Sequence, residues 1–184
     1  MEAQALGLQQ YAPSIMPGLL QTEAYARNLL RAAGPIDEDA LAEDVVARMS
    51  RQDLLDREDD QPEYRAIIDE AVLRRPLADP KEWLGQLAHL RHVAERPNVT
   101  LQVAPLAVGL HGLTNTDATF LWLADGRMVA YVETGYSGEL VEDARNVDRL
   151  RRSYDHLRDI VLSPRESSDV ITQYMEEAPC EPPG

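Results

Sequence analysis

The sequence is short of cysteine, of lysine and of long apolar runs, and each shortage closes off a class of protein. Its one cysteine, Cys180, stands in a proline-rich tail. A disulfide framework and a cysteine metal cluster are thereby excluded, and a reducing cytoplasm is the expected compartment. No apolar run approaches the roughly 20 residues that a membrane span needs. The opening Met1-Glu2-Ala3-Gln4-Ala5 lacks the basic start and apolar stretch of a secretory signal. Lys81 is the single lysine among 18 basic residues, and no basic run exceeds the pairs Arg74-Arg75 and Arg151-Arg152. Against them stand 32 acidic residues, giving a formal net charge of −14. Phosphate backbones are polyanions and are bound by clustered Lys and Arg. Direct nucleic-acid binding by this chain is therefore not expected. There is also no P-loop, no dinucleotide fingerprint and no nucleophile elbow, so neither a cofactor nor a metal is expected.

What is present is a chain of 184 residues, 44% apolar, enough for one domain with a sizeable core. Leu19, Ala26, Leu29, Leu30 and Ala33 recur at helical spacing, predicting a helix from about Gly18 to Ala33 that stops at Gly34-Pro35. Asp37 reads as the N-cap of a second helix, running to about Arg57 with Leu41, Val45, Met49, Gln52 and Leu55 on one stripe. Strands are expected at 64–69 and 99–104, with a helix opened by Pro80 between them. Ala118–Ala124 and Met128–Glu133 flank Asp125-Gly126, the signature of a hairpin with a primed turn, and both arms are apolar enough to be covered on two faces. Leu140, Ala144, Val147, Leu150, Tyr154, Leu157 and Val161 trace one helical seam. Ser163-Pro164-Arg165-Glu166 is a capping box that opens a short last helix. The expectation is an α+β fold: about four mostly antiparallel strands packed with five or six helices, one domain over residues 1–177, then a disordered tail over 178–184.

Polar residues at apolar positions are the candidates for chemistry. Gln52 falls on the apolar stripe of the second helix and Arg48 on its border; each needs a partner, a ligand or a carboxylate such as Glu70 or Glu133. Glu133 ends an apolar strand and Glu70 follows one, so the two are candidate acid–base groups. His111 lies between Gly109 and Gly112 in the longest loop and is a third catalytic candidate. Tyr25, Trp122 and Tyr131 are candidates to line a pocket with Arg48 and Gln52, with core packing as the plain alternative. His89 and His92 are spaced as helical metal ligands can be, but they share a polar face with Glu82, Gln86 and Arg96 and no third ligand is evident.

Several stretches carry a resemblance. Tyr11-Ala12-Pro13-Ser14-Ile15-Met16-Pro17-Gly18-Leu19-Leu20-Gln21-Thr22, followed by Tyr25-Ala26-Arg27, is the most characteristic. Arg48-Met49-Ser50-Arg51-Gln52, Ile68-Asp69-Glu70-Ala71-Val72-Leu73-Arg74, Gln86-Leu87-Ala88-His89-Leu90, Val99-Thr100-Leu101-Gln102-Val103-Ala104-Pro105, Tyr131-Val132-Glu133 and Ser163-Pro164-Arg165-Glu166-Ser167 follow in order. Together they resemble the domain of unknown function that follows an Xre-type helix-turn-helix in Streptomyces and other actinobacterial regulators of the WhiJ-like, toxin–antitoxin-like group. The resemblance implies a sensing or partner-binding role, with a small hydrophobic molecule or a small acidic protein as partner, and brings no established catalytic residues. The helix-turn-helix is absent here, since Met1 precedes the pattern by only about ten residues, so the chain is expected to be an excised or a stand-alone version. The stretch Leu106–Leu113 is also more apolar than the usual form. Three readings follow: an effector-binding module, a cofactor-free cyclase or isomerase of secondary metabolism that reuses the pocket, or a homodimer through the Leu140–Val161 seam.

Overall fold

The computed structural model describes residues 5–57, 61–133 and 137–178. Its centre is strand β1 (Ala5–Ala12), which pairs in parallel with β2 (Glu63–Asp69) on one side and antiparallel with β4 (Asp117–Leu123) on the other. β3 (Val99–Ala104) extends the parallel half; β5 (Met128–Glu133) and β6 (Gly138–Val141) extend the antiparallel half. The sheet order is β3-β2-β1-β4-β5-β6. This corrects the expectation of about four mostly antiparallel strands: the sheet has six, three of them mutually parallel. The parallel half follows from its connections, because parallel strands need crossovers and helices supply them here. Between β1 and β2 lie α1 (Glu23–Ala32) and α2 (Glu38–Ser50); between β2 and β3 lie α3 (Glu70–Leu73) and α4 (Pro80–Ala94).

The two faces of the sheet carry two cores. Leu8, Tyr64, Ile68, Leu101 and Leu121 pack under Tyr25 of α1 and Trp83, Leu87 and Leu90 of α4. Ile171 of α6 (Pro164–Glu177) joins the same core. On the opposite face, Tyr11, Ile67, Phe120 and Ala130 pack under Val147, Tyr154 and Leu157 of α5 (Ala144–Ile160). Phe120 meets Tyr154 edge-on, with ring centroids 5.6 Å apart. Seventeen residues of α5 rise about 25 Å, close to the width of six strands set about 4.8 Å apart. The helix thus leaves β6 at one edge and delivers the chain to β3 at the other. There Leu162 N–H donates to the Val103 carbonyl (3.1 Å), Gln102 Nε2 to the Leu162 carbonyl (2.9 Å) and Val103 N–H to Ser167 Oγ (2.9 Å). Those bonds blunt an edge that would otherwise be open to pairing.

Several boundaries shift from the sequence reading. The first helix begins at Glu23, with Thr22 as N-cap, and Gly18–Leu20 is a separate 3-10 turn. The second ends at Ser50 and continues as a 3-10 segment, Arg51–Asp56. Leu140 belongs to β6 rather than to the α5 seam, because Asp143 caps α5 through Asn146 N–H. The hairpin turn spans three residues: Leu123 N–H reaches the Arg127 carbonyl (2.9 Å) and Gly126 takes a φ of 83°, in place of the two-residue primed turn expected. The Ser163 capping box is present, and α6 runs 14 residues, longer than expected. Residues 179–184, which include Cys180 and nearly all of the expected tail, lie outside the described residues. No helix among the described residues is long and apolar enough to cross a membrane.

Candidate functional site

The Pro17–Thr22 stretch is built as a clamp. Leu20 N–H donates to the Pro17 carbonyl (2.8 Å), closing a 3-10 turn that buries Leu19 and Leu20. Such a turn exposes carbonyls that no helix satisfies, and three glutamines answer them. Gln52 Nε2 donates to the carbonyls of Gly18 (3.1 Å) and Gln21 (2.6 Å). Gln86 Nε2 donates to the Leu20 carbonyl (2.7 Å), while its Oε1 accepts from Thr22 N–H (2.7 Å) and Thr22 Oγ1 (3.1 Å). Gln21 Nε2 donates to the Met16 carbonyl (2.7 Å), and Met16 N–H donates to Tyr25 Oη (3.1 Å). Gln86 is fully buried, which corrects its placement on a solvated helix face: it looks inward, where only a saturated amide is tolerated.

This clamp forms one wall of a cavity of about 460 Å³. The floor is the sheet, where Leu8 and Gln10 of β1, Asp117 and Thr119 of β4, and Tyr131 and Glu133 of β5 all line the cavity. Pairing puts Gln10 beside Thr119, Thr119 beside Tyr131 and Asp117 directly opposite Glu133. The strand period of two then places all of them on one face. The roof comes from the end of α1, with Leu29 and Leu30, from Arg48 near the end of α2 and from Arg51, which opens the 3-10 segment after it. Arg48 Nη1 donates to Gln21 Oε1 (3.3 Å), so the clamp also positions a cation.

The electrostatics are divided. Gln10 Nε2 donates to Asp117 Oδ1 (3.4 Å), and Tyr64 Oη donates to Gln10 Oε1 (3.0 Å), which fixes the amide's orientation. Burial first, and the nearby Glu133 carboxylate second, push the Asp117 carboxyl up to about 6, while the Gln10 bond works the other way. Among the described residues, no ion pair engages Arg48, Asp117 or Glu133. The cavity therefore holds charge of both signs that is not neutralised internally.

Of the residues singled out from sequence, Arg48, Tyr131 and Glu133 converge on this cavity. Gln52 and Tyr25 instead brace the clamp through the bonds given above. Trp122 lies on the other face of the sheet, in an open groove of about 470 Å³ with Gln9, Arg65 and Thr100. Glu70 is a structural knot. One oxygen accepts from Arg74 Nη2 (2.7 Å) and Tyr174 Oη (2.8 Å), the other from Leu106 N–H (2.9 Å). Burial opposes its ionisation, but those bonds outweigh burial and hold the carboxyl below its ordinary value. His111 also sits away from the cavity. Its Nδ1 accepts from Leu113 N–H (3.3 Å), its Nε2 lies 3.2 Å from Tyr11 Oη, and that hydroxyl donates to Asp69 Oδ2 (3.1 Å). Burial lowers the His111 pKa, partly offset by Asp69, which favours the neutral ring. His89 and His92 belong to no cluster: among the described residues no three His, Cys, Asp or Glu side chains are grouped to hold a metal.

Asp117, Gln10 and Thr119 were not among the candidates read from the sequence. A signal for Asp117 was available: counting outward equally from Asp125 along the hairpin sets Asp117 opposite Glu133. Gln10 had no such signal, because β1 itself was not recognised. A family model described as a domain of unknown function (DUF5753) matches residues 1–173. No curated protein and no solved structure matches the chain.

Proposed function

The chain belongs to the DUF5753 family, whose description names no activity, and from the cavity we propose that it is a small-molecule-sensing domain: the effector-binding part of a helix-turn-helix regulator of the actinobacterial kind it resembles, acting on no nucleic acid itself. The single observation that carries this reading is the convergence of Arg48, Tyr131 and Glu133, from a helix and two positions on a strand, on one cavity with Asp117, lined by apolar and polar side chains together. Its volume of about 460 Å³ falls within the roughly 300–1,000 Å³ typical of ligand pockets, which combine apolar walls with a few placed polar groups. The net charge of −14 agrees with a partner other than DNA.

A thermal-shift screen of amphipathic metabolites tests it. A ligand at about 100 times its Kd adds roughly 2.7 kcal/mol of stability, a shift of several degrees for a chain of this size. Thr119→Trp, which places an indole on the cavity floor, should abolish the shift. A library that shifts nothing, or a shift that survives Thr119→Trp, contradicts the reading.

One feature favours a second reading, a cofactor-free cyclase or isomerase. Asp117, pushed up to about 6 opposite Glu133, has a carboxyl that can exchange a proton close to neutral pH, as a general acid or base must. Turnover of a bound ligand, lost in Asp117→Asn with binding retained, distinguishes the enzyme from the sensor.

A further inference from the structure

We propose that the ligand of this cavity is an amphipathic amine, its protonated nitrogen held between Asp117 and Glu133 and its apolar body lying along Leu8, Leu19, Leu29 and Leu30. The proposal rests on the reading of the cavity as a ligand site and adds the ligand's chemistry.

Three observations carry it. First, the register sets Asp117 and Glu133 directly opposite on neighbouring strands. Like charges in that relation repel, and a single cation between them removes the repulsion for both. Second, the charges lining the cavity are unequally engaged. Arg48 reaches Gln21, and Arg51 has interactions of its own. Among the described residues, the carboxylates receive one long bond between them, from Gln10 to Asp117 Oδ1. A cationic donor that reaches both carboxylates meets that deficit. Third, the polar and apolar parts of the cavity follow from the fold. Asp117 is half-buried and Glu133 exposed, while buried Leu8 and Leu19 stand on the sheet and clamp walls. A nitrogen on a hydrocarbon body matches that division, because each part meets a surface of its own kind.

A dependence on pH follows. The charged groups lining the cavity are Arg48 and Arg51 from the helical layer and Asp117 and Glu133 from the strands. Asp117 takes up a proton near pH 6, so amine binding weakens as pH falls through that range.

The test is calorimetric titration of the whole chain with hexylamine, 1-hexanol and hexanoate at about pH 7.5 and about pH 5, in wild type, Asp117→Asn and Thr119→Trp. At the higher pH hexylamine should bind wild type on the order of tenfold more tightly than hexanol, the worth of a charge-assisted bond. That preference should vanish at the lower pH and in Asp117→Asn, which still binds hexanol and so reports its own folding. Thr119→Trp should bind none of the three. Hexanol or hexanoate binding as well as hexylamine overturns the amine and leaves the ligand cavity standing. Binding of no probe, or binding unchanged by Thr119→Trp, overturns both.

Discussion

Asp117 and Glu133 face each other across two strands with no described cation bonded to either. The folded protein accepts that arrangement at a cost, and the cost has a sign. The Asp117 carboxyl is raised to about 6, above its unfolded value, so the ionised form is disfavoured by folding at neutral pH. The penalty is fully present above about pH 6 and is lifted as pH falls toward the unfolded pKa. Asp117→Asn should therefore stabilise the unliganded protein at pH 7, by about 1 kcal/mol after discounting for the group's partial exposure. Its advantage over wild type should shrink by about pH 5. Urea denaturation at the two pH values reads this directly, and a variant less stable than wild type at pH 7 would refute it. Tyr131 offers a second residue-scale check. A Cβ built on Gly138 would overlap the Tyr131 hydroxyl, so the ring at the cavity rim depends on glycine two residues from its register partner, Leu140. Gly138→Ala should cost about 1–3 kcal/mol. In a Tyr131→Ala background the cost should fall below about 0.5 kcal/mol, since the clash is gone. A cost independent of Tyr131 would show that the strain lies in the backbone.

At the scale of elements, the clamp is the part whose loss should be felt most. Gln86→Leu leaves the Leu20 carbonyl and Thr22 N–H buried or half-buried without their partner. A loss of about 2–4 kcal/mol is expected from two such groups. Ser163→Ala, which removes only the exposed N-cap of α6, should cost about 1 kcal/mol. Chemical denaturation of the two variants should give that order; equal losses would contradict the clamp. The clamp was visible in sequence only as a motif. Gln52 stood out because it interrupts an apolar stripe, yet its partners, two carbonyls in another element, follow no local rule. Elements with strong local signals were legible: α4 opened by Pro80, β3 with its alternation, the capping box before α6 and the Asp125-Gly126 hairpin. β1 was not. Its residues, Ala5-Leu6-Gly7-Leu8-Gln9-Gln10-Tyr11-Ala12, include no β-branched side chain. It is a strand because it is sandwiched between β2 and β4, not because of propensity. Missing the central strand hid the first crossover, and with it the parallel half of the sheet. Arg48 was legible as a candidate because a polar group beside an apolar stripe demands a partner, Glu133 because it ends an apolar strand, and Tyr131 as an amphipathic ring; Gln10 vanished with its strand.

For the whole molecule, the charge balance bears on the partner. A net charge of −14, with no basic run longer than an arginine pair, gives phosphate no clustered cations in the sequence to bind. Fluorescence anisotropy with duplex DNA should show no binding even at about 50 mM salt, where a phosphate-binding surface is at its strongest. Tight, salt-sensitive binding would overturn the assignment of partners. The proposed ligand lies between the helical layer and the antiparallel half of the sheet. The most direct test is backbone amide NMR of the labelled chain during titration with hexylamine. Shifts should concentrate at Gln10, Leu19, Thr119 and Glu133, with Arg65 and Trp122 on the opposite face unmoved. Shifts centred on Arg65 and Trp122, or none at saturating ligand, would contradict that placement.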